Sequence, residues 1–226
     1  MATKTLARIS ALIACALFGG AIASYQSPSA QWRFDVTLDG KPIGFHTFEL
    51  QQDGAQKILM TEASFDVKFL FVTAFRYRHE NTEIWDNGCL LSLDAATNSN
   101  GKELLVRGSV EEDSFRVQSA DGGQALPACV RTFAYWNPAI LNSPQLLNSQ
   151  TGVYEDVTVT PEGLDQVSVG GEPVEATRYR LSAQAGDITL WYATADNTWI
   201  GLEAPAKGGR KILYRAVAVP DPGVVS

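Results

Sequence analysis

Histidine and cysteine are scarce in this chain of 226 residues, at two and three. His46 and His79 stand at ligand spacing neither from each other nor from a cysteine, so the sequence offers no metal centre. It also lacks a Gly-x-Ser-x-Gly elbow, a His-Glu-x-x-His pair, a phosphate-binding loop and the Rossmann glycines. No catalytic residue and no cofactor is therefore assigned. Basic residues are outnumbered 18 to 25, for a net charge of −7, and no basic run occurs. That balance excludes nucleic acid as a partner, because such binding rests on neutralising phosphates. No internal period of 20–50 residues marks a solenoid or propeller. With 45% hydrophobic and 19% charged residues, the composition is neither disordered, collagen-like nor coiled-coil.

The N-terminus reads as an export signal over residues 1–23. Lys4 and Arg8 precede an uncharged apolar run over 9–18, and Ala21-Ile22-Ala23 supplies a small-x-small cleavage site. The run is shorter than the ~20 residues needed to span a bilayer, and no later stretch reaches that length. A single domain over 24–226 is expected, periplasmic or secreted, with no membrane span after cleavage. Leu12-Ile13-Ala14-Cys15 resembles a lipoprotein cleavage box, but cutting there leaves apolar Ala16-Leu17-Phe18 where a polar tether is usual. Cleavage near Ala23 removes Lys4 and Arg8 and makes the chain more acidic. Cys89 and Cys129 then remain, and an oxidising compartment predicts one structural disulfide between them, worth roughly 4 kcal/mol for a loop of that length. A metal pair is the alternative. The absence of an Asn-x-Ser/Thr sequon fits a bacterial export route.

Strand follows strand in what remains. Over 31–38, Trp32, Phe34, Val36 and Leu38 alternate with Arg33, Asp35 and Thr37, which is the period of a half-buried strand. After Asp39-Gly40, residues 42–51 continue, and a phase slip between Phe45 and Phe48 predicts a bulge near His46-Thr47. Asp53-Gly54 leads to a strand over 57–65. In 68–85, Phe69, Phe71, Phe75, Tyr77 and Trp85 share one parity, while Arg76, Arg78, Glu80 and Thr82 share the other, with a bend expected near Thr73-Ala74. Asn87-Gly88 and Asn100-Gly101 are hairpin turns. They separate strands over 89–93, 103–110 and 114–119. Asp121-Gly122-Gly123 and Pro127 read as a break. Pro138 opens a short or broken helix that Pro144 interrupts. Strands resume over 153–160, 166–169, 175–182, 187–194, 198–203 and 211–219, punctuated by Pro161-Glu162-Gly163 and three later glycine turns. The fold class is all-β: an antiparallel meander forming a barrel or strongly curled half-barrel, with one short helical or loop segment near 138–148. A two-sheet sandwich is the alternative.

Trp32-x-Phe34-x-Val36, Leu38-Asp39-Gly40-x-x-Ile43-Gly44, Asn100-Gly101-Lys102 and Phe133-Ala134-Tyr135-Trp136-Asn137-Pro138 resemble an exported bacterial family, domain of unknown function 6134. Cys89, Leu146-Leu147 before Thr151-Gly152, and Ile212-x-Tyr214 extend the likeness. It implies an exported β domain and carries over no active site. The opening and closing strands are also similar to periplasmic half-barrels that carry lipoproteins.

A curled sheet of this size has an interior that side chains or an apolar ligand must fill. The leading expectation is an exported soluble binding module holding a lipid or fatty acyl chain, closed by residues 132–150. Phe69, Phe71, Tyr77, Tyr135 and Trp136 would line it, and Arg76 or Arg78 would meet an acidic head group. The plain alternatives are arginines paired across the strand to Glu80 or Glu83, and a Trp136 that plugs the sheet. An envelope protein partner at a sheet face or edge is the first rival. The second is a hydrolase-like enzyme centred on His79, which needs a carboxylate on its ring.

Overall fold

The computed structural model describes residues 29–69 and 72–221. The expected signal segment, Cys15 and Phe71 lie outside the described residues. The described residues form fifteen strands: β1 (Ser29–Leu38), β2 (Lys41–Asp53), β3 (Gln56–Phe69), β4 (Val72–Asp86), β5 (Cys89–Ser99), β6 (Lys102–Glu111), β7 (Ser114–Ser119), β8 (Gly122–Pro127), β9 (Gln145–Leu147), β10 (Tyr154–Asp156), β11 (Thr158–Val169), β12 (Glu172–Ala183), β13 (Gly186–Ala193), β14 (Trp199–Ala206) and β15 (Arg210–Ala218). All but β9 and β10 belong to one antiparallel sheet in the order β11-β12-β13-β14-β15-β1-β2-β3-β4-β5-β6-β7-β8. Each strand pairs with its chain neighbour except at the centre, where β15 returns to pair with β1. The sheet curls without closing, and β8 and β11 are its edges. This is the expected meander in its open, half-barrel form.

Local chemistry sets the turns. Asn87-Gly88 and Asn100-Gly101 both hold positive φ at their two central positions, as a type I′ turn requires. Gly44 sits where β3 comes so close that a side chain would run into the Ser64 carbonyl. The bulge of this hairpin lies there, at Ile43 opposite the Val36/Thr37 step, and not at His46-Thr47. Phe45 faces outward instead, beneath the Arg33 guanidinium at 5.1 Å. Ala74, where a bend is expected, is an extra residue in β4 opposite the Val67/Lys68 step, and the pairing continues past it to Phe69 and Val72. Pro161-Glu162-Gly163 is likewise a bulge within one long β11. Residues 122–127, read as a break, pair along β7 as the edge strand β8.

The inner face carries the main core. Trp32, Phe34, Phe48, Leu59, Trp85, Leu190, Tyr192 and Trp199 are buried there. Residues 128–157 pack into the same core as a plug between the two edges. The Cys89–Cys129 disulfide anchors its start, and the Leu90 amide donates to the Val130 carbonyl at 3.0 Å. Next comes a 3₁₀ turn over Pro138–Asn142, capped by Asn137 Oδ1, which accepts from the Ala139 amide at 3.0 Å. Ser143 then leaves helical geometry ahead of Pro144. Ile140, Leu146 and Leu147 are fully buried, and the β9–β10 hairpin completes the plug. A second cluster of Val36, Leu38, Ile43, Ala63 and Phe65 lies toward the β1–β2 turn.

The disulfide closes a span of 40 residues that includes β6 to β8, so it ties the plug to β5 across an edge. Replacing both cysteines by serine is expected to lower unfolding free energy by about 2–4 kcal/mol in a denaturant titration. Alkylation of the unreduced protein should label neither thiol; two labelled cysteines would sink the bridge.

Candidate functional site

Between the two clusters the curled sheet leaves a chamber of about 250 Å³. Strand alternation decides what faces it. From β4 come His79, Asn81 and Glu83, every second residue of a row that runs from Tyr77 to Trp85. From β2 and β3 come His46, Phe48, Leu59 and Thr61, and from β14 and β15 Leu202, Ala204, Ile212 and Tyr214. Ala183 and Ile188 add apolar surface from the β12–β13 hairpin. The plug supplies Phe133, Ala134 and Tyr135, and Asn148, Ser149 and Gln150 stand near the outside. Here Glu155 Oε2 accepts from the Gln184 amide at 2.8 Å, tying the plug to the β12–β13 turn.

The polar groups of the chamber are concentrated on β2–β4 and β15. His46 stacks on Phe48 at 4.1 Å and shares a hydrogen bond of 3.2 Å between Nδ1 and the Tyr214 hydroxyl. It is half-buried by area yet enclosed by protein, because the surface it retains faces the chamber. Burial, with His79 nearby, lowers its pKa to about 3. His79 is 4% exposed, and its Nδ1 shares a hydrogen bond of 2.8 Å with Thr97 Oγ1. Burial lowers its pKa to about 4. Both rings are thus neutral at physiological pH. Glu83 is 1% exposed and accepts from Asn81 Nδ2 at 2.9 Å, Trp85 Nε1 at 3.0 Å and Thr132 Oγ1 at 3.2 Å. Burial still raises its pKa, against the pull of those three donors. Two buried polar atoms here, His46 Nε2 and Asn81 Oδ1, have no hydrogen-bond partner among the described residues.

The residues singled out from the sequence are divided by this geometry. Tyr135 lines the chamber, its carbonyl held by the Tyr192 hydroxyl at 2.7 Å and its ring on Trp199 at 5.2 Å. Trp136 turns the other way and fills the core edge-on against Trp85 at 5.8 Å. Tyr77 stacks on Phe65 at 5.2 Å, where the second cluster adjoins His79. Phe69 pairs with Val72 at the end of the β3–β4 hairpin, and Phe71 lies outside the described residues. Arg76 and Arg78 are on the opposite sheet face from Tyr77. They bind Asp66, with Arg78 Nη2 at 3.0 and 3.1 Å from its two oxygens and Arg76 Nε at 3.4 Å. Their partner is therefore neither Glu80 nor Glu83, and Glu83 points inward. His79 bonds a hydroxyl where a general base would need a carboxylate.

Sequence reasoning missed Glu83, Asn81, Thr61 and Tyr214 and placed little on His46. The signal was present on β4: residues 77, 79, 81, 83 and 85 share one parity, so aromatic ends at Tyr77 and Trp85 imply that the polar residues between them also face in.

The comparisons place this geometry among known proteins. The family model for a domain of unknown function, DUF6134, matches residues 34–217. No curated protein matches. Among solved structures, a β-barrel-like protein of domain of unknown function DUF1849 from Brucella abortus aligns with a TM-score of 0.60 at 10% identity, over 87% of this chain and 99% of that one. At that identity the likeness concerns the fold.

The shifted groups make stability depend on pH in two opposing ways. The unfolded chain protonates both histidines below pH 6.5, while the folded chain keeps them neutral down to about pH 4 and 3. Stability is thus lost as pH falls through that window, by about 2 kcal/mol per histidine at pH 5. Glu83 acts in reverse: its proton is held more tightly in the folded state, so stability is lost as pH rises above the ordinary carboxyl value of 4.5. Denaturant titrations from pH 7.5 to 5 should show a shallower acid loss in His79→Gln. Glu83→Gln should raise the melting temperature more at pH 7.5 than at pH 4.5; a lowered value at pH 7.5 would overturn the raised carboxyl pKa.

Proposed function

This chain belongs to the DUF6134 family, and we propose that it is an exported binding module holding a small ligand, with an apolar body and a polar head, inside its curled sheet. The observation that carries this reading is the chamber itself, lined by Phe48, Leu59, Ile188, Leu202 and Ile212 together with His46, His79 and Asn81. A folded core closes to native density unless something holds it open, and unpartnered buried polar atoms are costly. His46 and Asn81, whose Nε2 and Oδ1 are buried without a hydrogen-bond partner among the described residues, both line this space, and a ligand head group that reached them would relieve that cost. The volume equals about eight water molecules, near the lower end for ligand cavities. It suits a single ring or short chain, not a two-chain lipid. The Cys89–Cys129 bridge supports export to an oxidising compartment.

Edge pairing with an envelope protein is less well served. β8 is six residues long and ends in Pro127, and β11 is broken by the Glu162 bulge, whose carboxylate binds Arg180 at 3.1 Å. Short, bulged and charged edges are what discourages strand addition.

Ala204→Phe places a ring in the chamber at a cost of about 1–3 kcal/mol of overpacking. Native mass spectrometry of the protein purified from an expressing cell's periplasm should show a small extra mass on the parent and none on this variant. An equal adduct on both would place the ligand elsewhere.

A further inference from the structure

We propose that the head group taken by this chamber is an organic ammonium, the charged nitrogen of a small amine, and not the carboxylate of a fatty acid. The inference rests on the binding-module reading and specifies its ligand. No lysine or arginine is among the residues that line the space. The titratable side chains that face it are His46, His79, Glu83, Tyr135, Glu155 and Tyr214. Burial lowers the pKa of both imidazoles, to about 3 and about 4, and raises those of the buried acids Glu83, Tyr135 and Tyr214. Every charge the site can acquire from its carboxyls or phenols is negative. An anionic head drawn from water into this space therefore meets no countercharge. The arginines that could have served are bound to Asp66 on the outer face.

What the space does offer suits a cation. Phe48, Phe133, Tyr135 and Tyr214 present aromatic surface around it, and ring faces attract ammonium groups, most strongly where water is excluded. Asn81 lines the space and is 7% exposed; its amide nitrogen is committed to Glu83 and its buried oxygen has no hydrogen-bond partner among the described residues. Glu83 stands behind it, already bonded by three donors and ready to hold negative charge once a cation arrives. Glu155, half-buried among the outer lining residues, adds a carboxylate where a ligand would enter. Ammonium binding then draws the proton from Glu83 into the buffer, and that release distinguishes it from a bound carboxylate, which would instead load a proton onto His46 or His79.

The test compares three probes with one body: 2-phenylethylamine, 2-phenylethanol and 3-phenylpropanoate, titrated calorimetrically at pH 5.5 in two buffers of different ionisation enthalpy. The expected result is amine binding at least 10-fold tighter than the other two, with net proton release, and loss of that preference in Glu83→Gln as judged against its own melting curve. Tighter binding of the propanoate with proton uptake, or of the alcohol with no proton exchange, overturns the ammonium assignment and leaves the chamber as a ligand site. Failure of all three to bind the parent protein overturns the chamber reading as well.

Discussion

Strand β1 is hydrogen-bonded on both sides, to β2, which follows it, and to β15, which ends the described sheet. Without the second ladder there are two sheets, β1 to β8 and β11 to β15, and nothing to set the angle between them. With it, Trp32, Phe34 and Val36 become the keel of one inner surface. Phe34 meets Trp199 at 4.3 Å from one side and Phe48 at 6.0 Å from the other, so side chains from both halves converge on one strand. The chamber needs this join, since His46 comes from β2 and its partner Tyr214 from β15.

The interior is unusually polar for the centre of a β protein, and its parts are coupled. Glu83 bonds Thr132 at the start of the plug and Asn81 beside the chamber, so one carboxyl links the state of the site to the seating of the segment that closes it. Removing that carboxyl without replacing its acceptors would strand three buried donors, whereas the amide of glutamine keeps most of them bonded. A core optimised only for stability would place leucine at these positions. On the proposed reading, the neutral histidines and the buried acid are the cost of a space that discriminates among ligands.

Much of the fold was legible because alternation and turn chemistry are local. Asn-Gly pairs require their positive φ, and 32, 34 and 36 point together whatever lies next to them. The Cys89–Cys129 pairing was legible from the number of cysteines left after the expected signal segment. What depended on register was not legible: Asp66 reaches Arg78 only because β3 and β4 pair with Ala74 as an extra residue, and Ile43 rather than His46 bulges because Ser64 crowds Gly44. The strand β8 was hidden by Gly122-Gly123 and Pro127, residues that suit an edge better than the middle of a sheet. Polar residues on the inner row were passed over because alternation was read by hydrophobicity, whereas Asn81 and Glu83 betray themselves only by position.

The keel strand also fixes an order of events. Among the described strands β1 is synthesised first and β15 last, so the central ladder joins residues such as Val36 and Tyr214 that lie far apart in the chain. Contacts of such separation form slowly, because loop closure must precede any gain from pairing. Through that interval one side of β1 stays open and its tryptophan and phenylalanine wait uncovered, the kind of surface that other nascent chains stick to. Productive folding is then a race between the arrival of the last strand and capture of the first, and mutations that weaken β15 should appear as lost yield before they appear as lost stability.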